Sequence, residues 1–190
     1  MQIVRKASLL VALGFAFGGA IAGEIDDTTV LSTNANNSSS GFLASARQNI
    51  GVSEQNSKIA NSSVIVNGAN NSASGFLSSA TQSVGHAEGK GQITNTTIQG
   101  TNLNNTASGF LSSATQEVGF AKDNGVVSNS LVQANNASNS ASGFLSSATQ
   151  QIGGAQGNGK LQNATVIANG SNNSASGFLS SASQTIGVAK

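Results

Sequence analysis

Five copies of one 34-residue unit follow each other without insertion or deletion, and nothing else in the chain restricts its fold so severely. Phe42, Phe76, Phe110, Phe144 and Phe178 recur at that step, each preceded by Ser-Gly and followed by Leu. The same spacing carries Gln48, Gln82, Gln116, Gln150 and Gln184. It also carries Asn37, Asn71, Asn105, Asn139 and Asn173, and the glycines Gly51, Gly85, Gly119, Gly153 and Gly187. Upstream the register holds through Ile25, Ile59, Ile93, Val127 and Leu161, then through Val30, Val64, Ile98, Val132 and Val166. The repeats therefore run 25–58, 59–92, 93–126, 127–160 and 161–190, one repeat domain over residues 23–190 that leaves no space for a separate catalytic domain.

A period of 34 also belongs to helical tetratricopeptide arrays, but these units are rich in Ser, Thr, Asn and Gly, which are poor helix formers. Phe42, Leu43, Ala46 and Ile50 would share one helical face, so a local helix has to be weighed. The copies decide for a strand. The columns of Arg47 and Asn49 vary most, whereas Ala46, Gln48 and the column of Ile50, Val84, Val118, Ile152 and Ile186 scarcely change. Alternation of fixed and variable positions is the signature of a half-buried strand. It directs Phe42, Ala46, Gln48 and Ile50 inward. A buried amide is costly alone, but stacked copies let each Gln bond the next in a ladder. A second strand, interrupted by a bend or bulge, is expected over Leu161–Ile167 and its counterpart Ile59–Val66, with a glycine-rich turn over 155–160 between the two. One turn column, Glu54, Glu88, Lys122, Gln156 and Lys190, mixes the sign of its charges, which limits repulsion between stacked layers. The expected fold is an all-β solenoid or stacked β-arch, one repeat per layer, cross-β on assembly. Phe, Gln, Asn and Ile/Val ladders form its core, and its five layers span about 24 Å.

The chain opens with Arg5 and Lys6, an apolar stretch from Ala7 to Phe17, and Ala20-Ile21-Ala22, the pattern of a Sec-type signal peptide over residues 1–22 cut after Ala22. The apolar stretch is too short and too glycine-interrupted for a bilayer span of roughly 20 residues. Without Arg5 and Lys6, six basic and seven acidic residues remain. That balance offers no field for nucleic acid or anionic lipid. Cysteine is absent, so an exported chain must hold together without disulfides.

His86 is the only histidine, and its column holds Val52, Phe120, Gly154 and Val188, so it reads as a tolerated variant. One histidine and scattered carboxylates assemble no catalytic triad, metal cluster or phosphate loop, and no cofactor or small-molecule substrate is expected. The run Asn172-Asn173-Ser174-Ala175-Ser176-Gly177, the tetrad Ile186-Gly187-Val188-Ala189 and the segment Gly157–Ile167 resemble the repeats of bacterial functional amyloid of the Fap type, and more distantly curli. The chain differs from the Fap pattern in its uninterrupted repeats and lack of cysteine. The resemblance implies a self-assembling, non-enzymatic fibre subunit of a biofilm or surface matrix. Its partners would be further copies of itself and an outer-membrane secretion or nucleation apparatus. Two other readings stay open: a monomeric adhesin or ice-binding solenoid, for which Thr81, Thr115 and Thr149 offer a face interrupted by Arg47 and Ser183, and a disordered matrix polypeptide.

Overall fold

The protein is described over residues 24–188 of a computed structural model, so the expected leader, residues 1–22, lies outside the described residues. The first layer consists of β1 (Glu24–Asp26), β2 (Thr29–Ser40), β3 (Leu43–Ile50) and β4 (Ser53–Glu54). Each pairs in parallel with its counterpart one repeat later, Ile25 beside Ile59, Asn37 beside Asn71 and Gln48 beside Gln82. Later layers continue the same shift, giving four parallel sheets. The fold is a β-solenoid with one 34-residue repeat per layer. The segment for which a helix had to be weighed is β3, with the burial alternation the copies suggested.

Corners turn on residues that tolerate a left-handed backbone. Between β1 and β2 stands Asp27, then Asn61, Asn95, Asn129 and Asn163 in the following layers, all at φ of 47° to 50°. Short polar side chains enter this region more readily than others. Asn163 is thus the bend expected within Leu161–Ile167, where it parts Lys160–Gln162 from Thr165–Asn169. Between β3 and β4 the corner is Gly51, repeated at Gly85, Gly119, Gly153 and Gly187 with φ of 55° to 64°. Space as well as torsion demands glycine there, because a Cβ on Gly85 would lie 2.5 Å from Ile98 Cγ2.

The Asn- and Ser-rich run has low strand propensity, yet it forms the second half of a 12-residue strand, Ser63–Ser74 in the second layer. What compensates is pairing inside the stack. The sheet of β2 packs face to face on the sheet of β3, and the interior they enclose has three zones. Ile50, Ile59, Val64, Ile93, Ile98 and their equivalents fill the wide end. Ala46, Ala73, Ala80 and Ala107 fill a thin end near the β2–β3 corner. Buried Asn71, Asn105, Gln82 and Gln116 lie between them.

Candidate functional site: internal ladders, outer ridge and end faces

The amide seam is bonded in two directions. Asn37, Asn71, Asn105 and Asn139 each donate from Nδ2 to the Oδ1 of the next layer's Asn at 2.8 Å, ending on Asn173. The glutamines run the other way: Gln82, Gln116, Gln150 and Gln184 donate from Nε2 to the Oε1 of the preceding layer's Gln at 2.8, 2.7, 2.6 and 2.5 Å. Backbone carbonyls fix both senses. Asn71 Nδ2 also faces Ala46 and Thr81 oxygens, and Gln82 Nε2 faces the Ala69 oxygen, so neither amide can be reversed without opposing two acceptors. Gln48, Gln82, Gln116, Gln150, Asn71, Asn105 and Asn139 of the expected ladders are buried, as are Ile50, Val84, Val118 and Ile152, whereas Asn37 and Asn173 in the end layers are half-buried and Gln184 and Ile186 in the last layer are exposed.

The Phe column is a correction to the inward ladder expected from the sequence. Phe42, Phe76, Phe110, Phe144 and Phe178 are 69, 45, 44, 45 and 75 % exposed. The inward parity of Ala46, Gln48 and Ile50 does not carry back across the Gly41-Phe42 corner, and the space behind it is narrow and filled by alanines. The rings do stack, at centroid distances of 5.0 to 5.1 Å and nearly parallel planes, but as an outer ridge along the molecule. Beside it runs a groove of about 450 Å³ between the Leu column, Leu77 to Leu179, and the outer serines Ser79, Ser113 and Ser147.

His86, read from its column as a tolerated variant, is buried against two carboxylates. It is 3 % exposed, with Nδ1 3.2 Å from Glu117 Oε2 and Nε2 3.5 Å from Glu88 Oε2. Its ring lies over Phe120 at 6.2 Å between centroids. Glu117 is the only carboxylate in its column, beside Asn49, Ser83, Gln151 and Thr185. Two singular residues of adjacent repeats thus meet, a coincidence visible only if the columns of His86 and Glu117 are compared together. Phe120 is likewise matched by Gly154 in the next layer, where a Cβ would stand 2.8 Å from Phe120 Cε2.

The two end layers are left with opposite surpluses. Among the described residues, Asn37 Oδ1 accepts no bond, and Gln48 Nε2 donates only to the Ala35 oxygen. At the far end, again among the described residues, Gln184 Oε1 accepts no bond and Asn173 Nδ2 lacks the onward Asn bond of its counterparts. The first layer exposes Glu24, Asp26 and Asp27, whereas Lys160, in the column of Glu24, is the one charged side chain of the last layer among the described residues. Inside the molecule that column already pairs opposite charges: Lys58 Nζ donates to Glu24 Oε1 at 2.8 Å. That bond, with the carboxylate's charge, holds the ammonium pKa above its ordinary value. No known protein family, curated protein or solved structure shows a significant match to this chain.

Proposed function

We propose that the protein is a secreted structural subunit that stacks end to end into extracellular fibres of a bacterial biofilm or surface matrix. Complementarity of the two end faces carries this reading. If the last layer of one copy meets the first layer of the next by continuing the internal shift, Asn173 Nδ2 meets Asn37 Oδ1, and Gln48 Nε2 meets Gln184 Oε1. Both ladders then continue through the junction with their donor sense unchanged. Two like ends stacked so that each column meets itself would set donor against donor and acceptor against acceptor, and they would bring strands together antiparallel where every internal pairing is parallel. The contact is therefore heterologous and non-closing, the type that generates open filaments. Lys160 would meet Glu24 of the next copy as Lys58 meets Glu24 within the molecule. Parallel strand edges at each end offer their backbone groups to the same partner. Export by the expected leader and delivery through an outer-membrane apparatus belong to the same reading.

Gly187 supplies the test. A Cβ placed there meets nothing within 4 Å, whereas its counterparts face the valine or isoleucine of the following layer. In a stack that neighbour is Val30 of the next copy. Asn tolerates the local φ of 64°, so Gly187→Asn should fold normally yet block elongation. The wild-type protein, released from denaturant, should give filaments with an axial spacing near 4.8 Å. A wild-type monomer that persists for days at high concentration, or a Gly187→Asn variant that elongates at the wild-type rate, would overturn the reading.

A further inference from the structure

The Ser-Gly-Phe-Leu module stays constant in all five repeats although its Phe and Leu side chains lie largely outside the core. Elsewhere on the same outer face the copies diverge freely, as at Arg47, Thr81 and Ser183, or Asn49, Ser83 and Glu117. The backbone explains the glycine, since a Cβ on Gly75 would fall on the carbonyl oxygen of Gly41. It does not explain an exposed ring. With roughly half of each ring's ~200 Å² in solvent, the ridge and the outer leucines present on the order of 800 Å² of carbon surface. That equals one side of a standard protein interface, ~800 Å² per partner. It is also larger than the patches that monomers ordinarily leave uncovered.

We propose that this face pairs two solenoids side by side, each Phe ridge seated in the Leu/Ser groove of the other. Three observations select a second copy as the occupant. Phe and Leu are consecutive in every repeat, so ridge and groove run side by side and one copy can offer its ridge to a partner's groove while receiving the partner's ridge in its own. Its features recur at the 5.0 to 5.1 Å ring spacing, which another solenoid of the same rise matches layer for layer. No charged side chain occurs in the Phe, Leu or adjacent Ser columns, so closing the contact strips no ion of water. Symmetry fixes the orientation. A two-fold axis parallel to the solenoid brings ridge against groove, whereas one perpendicular to it brings ridge against ridge. The paired solenoids therefore run in the same direction, and both strands of a filament grow from the same end. Within the fibre this pairing rests on the end-to-end reading above, while between two isolated chains it does not.

The test compares wild type with two variants that leave the core intact: Phe76→Ser/Phe110→Ser/Phe144→Ser, which removes the three inner rings of the ridge, and Ser79→Arg/Ser113→Arg/Ser147→Arg, which blocks the groove. Far-UV circular dichroism checks that both fold. Mass per unit length of the assembled wild type, measured by scanning transmission electron microscopy, should be twice that of one repeat per ~4.8 Å layer. Both variants should fall to half the wild-type value. Wild-type filaments with the mass of a single solenoid would overturn the pairing and leave end-to-end assembly standing, as would variants that keep the double mass. If no filaments form, a wild-type dimer in sedimentation that both variants abolish supports the pairing and removes the fibre. A wild-type monomer there removes the pairing.

Discussion

Gln116 shows how a polar side chain becomes a core residue. Completely buried, it receives the Gln150 amide at 2.6 Å and donates to Gln82 Oε1 at 2.7 Å and the Ser138 oxygen at 3.2 Å. In Gln116→Glu the bond from Gln150 survives, but a carboxylate now faces two oxygens with nothing to donate. Leaving a buried charge uncompensated in this manner costs ~3–5 kcal/mol, a loss that guanidinium unfolding at neutral pH should register. Burial raises the new carboxyl's pKa, so the sign is that of a group favoured protonated in the fold. Stability should recover as pH falls and be lost as it rises. His86 and Glu117 pose a subtler question, since the other repeats do without a histidine or a carboxylate at these positions. A cycle of His86→Val and Glu117→Thr should show non-additive unfolding energies, with coupling of about 1 kcal/mol. Additive effects would mean that the 3.2 Å approach carries no net energy.

At the scale of strands and corners, the Gly51 column separates torsion from packing. Gly85→Ala forces an L residue to φ of 59° and drives its Cβ into Ile98. The left-handed torsion costs ~1–2 kcal/mol and the overpacking a further ~1–3 kcal/mol. In an unstacked molecule Gly187→Ala should suffer only the first, a difference that parallel denaturation curves would expose. This column was legible in the sequence as an invariant glycine, and so were β3 and a bend within Leu161–Ile167, whereas the turn expected over 155–160 is confined to 157–159, because Ala155–Gln156 is a short strand and Lys160 opens the next. Periodicity in strands and the local torsions of Gly and Asn are properties that neighbouring residues determine. Two features were not legible for one shared reason. The strand conformation of the Asn-rich half of β2 and its counterparts is supported, beyond the expected Asn ladder, by amide bonds to backbone carbonyls 10 and 25 positions away, which no propensity encodes. The outward Phe depends on where a corner interrupts alternation, and period-two reasoning has no purchase across a corner. The same blindness hid the meeting of His86 with Glu117, because each column looks like ordinary drift when read alone.

For the molecule as a whole, the distribution of charge along the axis gives the proposed end-to-end junction a test. Glu24, Asp26 and Asp27 make the first layer acidic, and Lys160 stands at the opposite end of the Glu24 column with Val126 as its in-register neighbour inside the molecule. Reversing its sign should therefore leave the isolated fold almost untouched, since exposed ion pairs are worth little and Lys160 faces no charged strand partner among the described residues. At an end-to-end junction the effect differs. Lys160→Glu would place a carboxylate against Glu24 of the incoming copy, with Asp26 and Asp27 close behind, on every approach. Like charges within a few ångströms slow encounter as well as weaken docking, and salt screens them with a Debye length of about 10 Å at 0.1 M. Seeded elongation of Lys160→Glu, followed by light scattering, should be several-fold slower than wild type at low ionic strength and approach it as salt is raised. The wild type should show the opposite trend, elongating fastest at low salt. Equal elongation rates for the two proteins at low salt would mean that Lys160 does not meet Glu24, and that the register of the junction differs from the one that builds the layers.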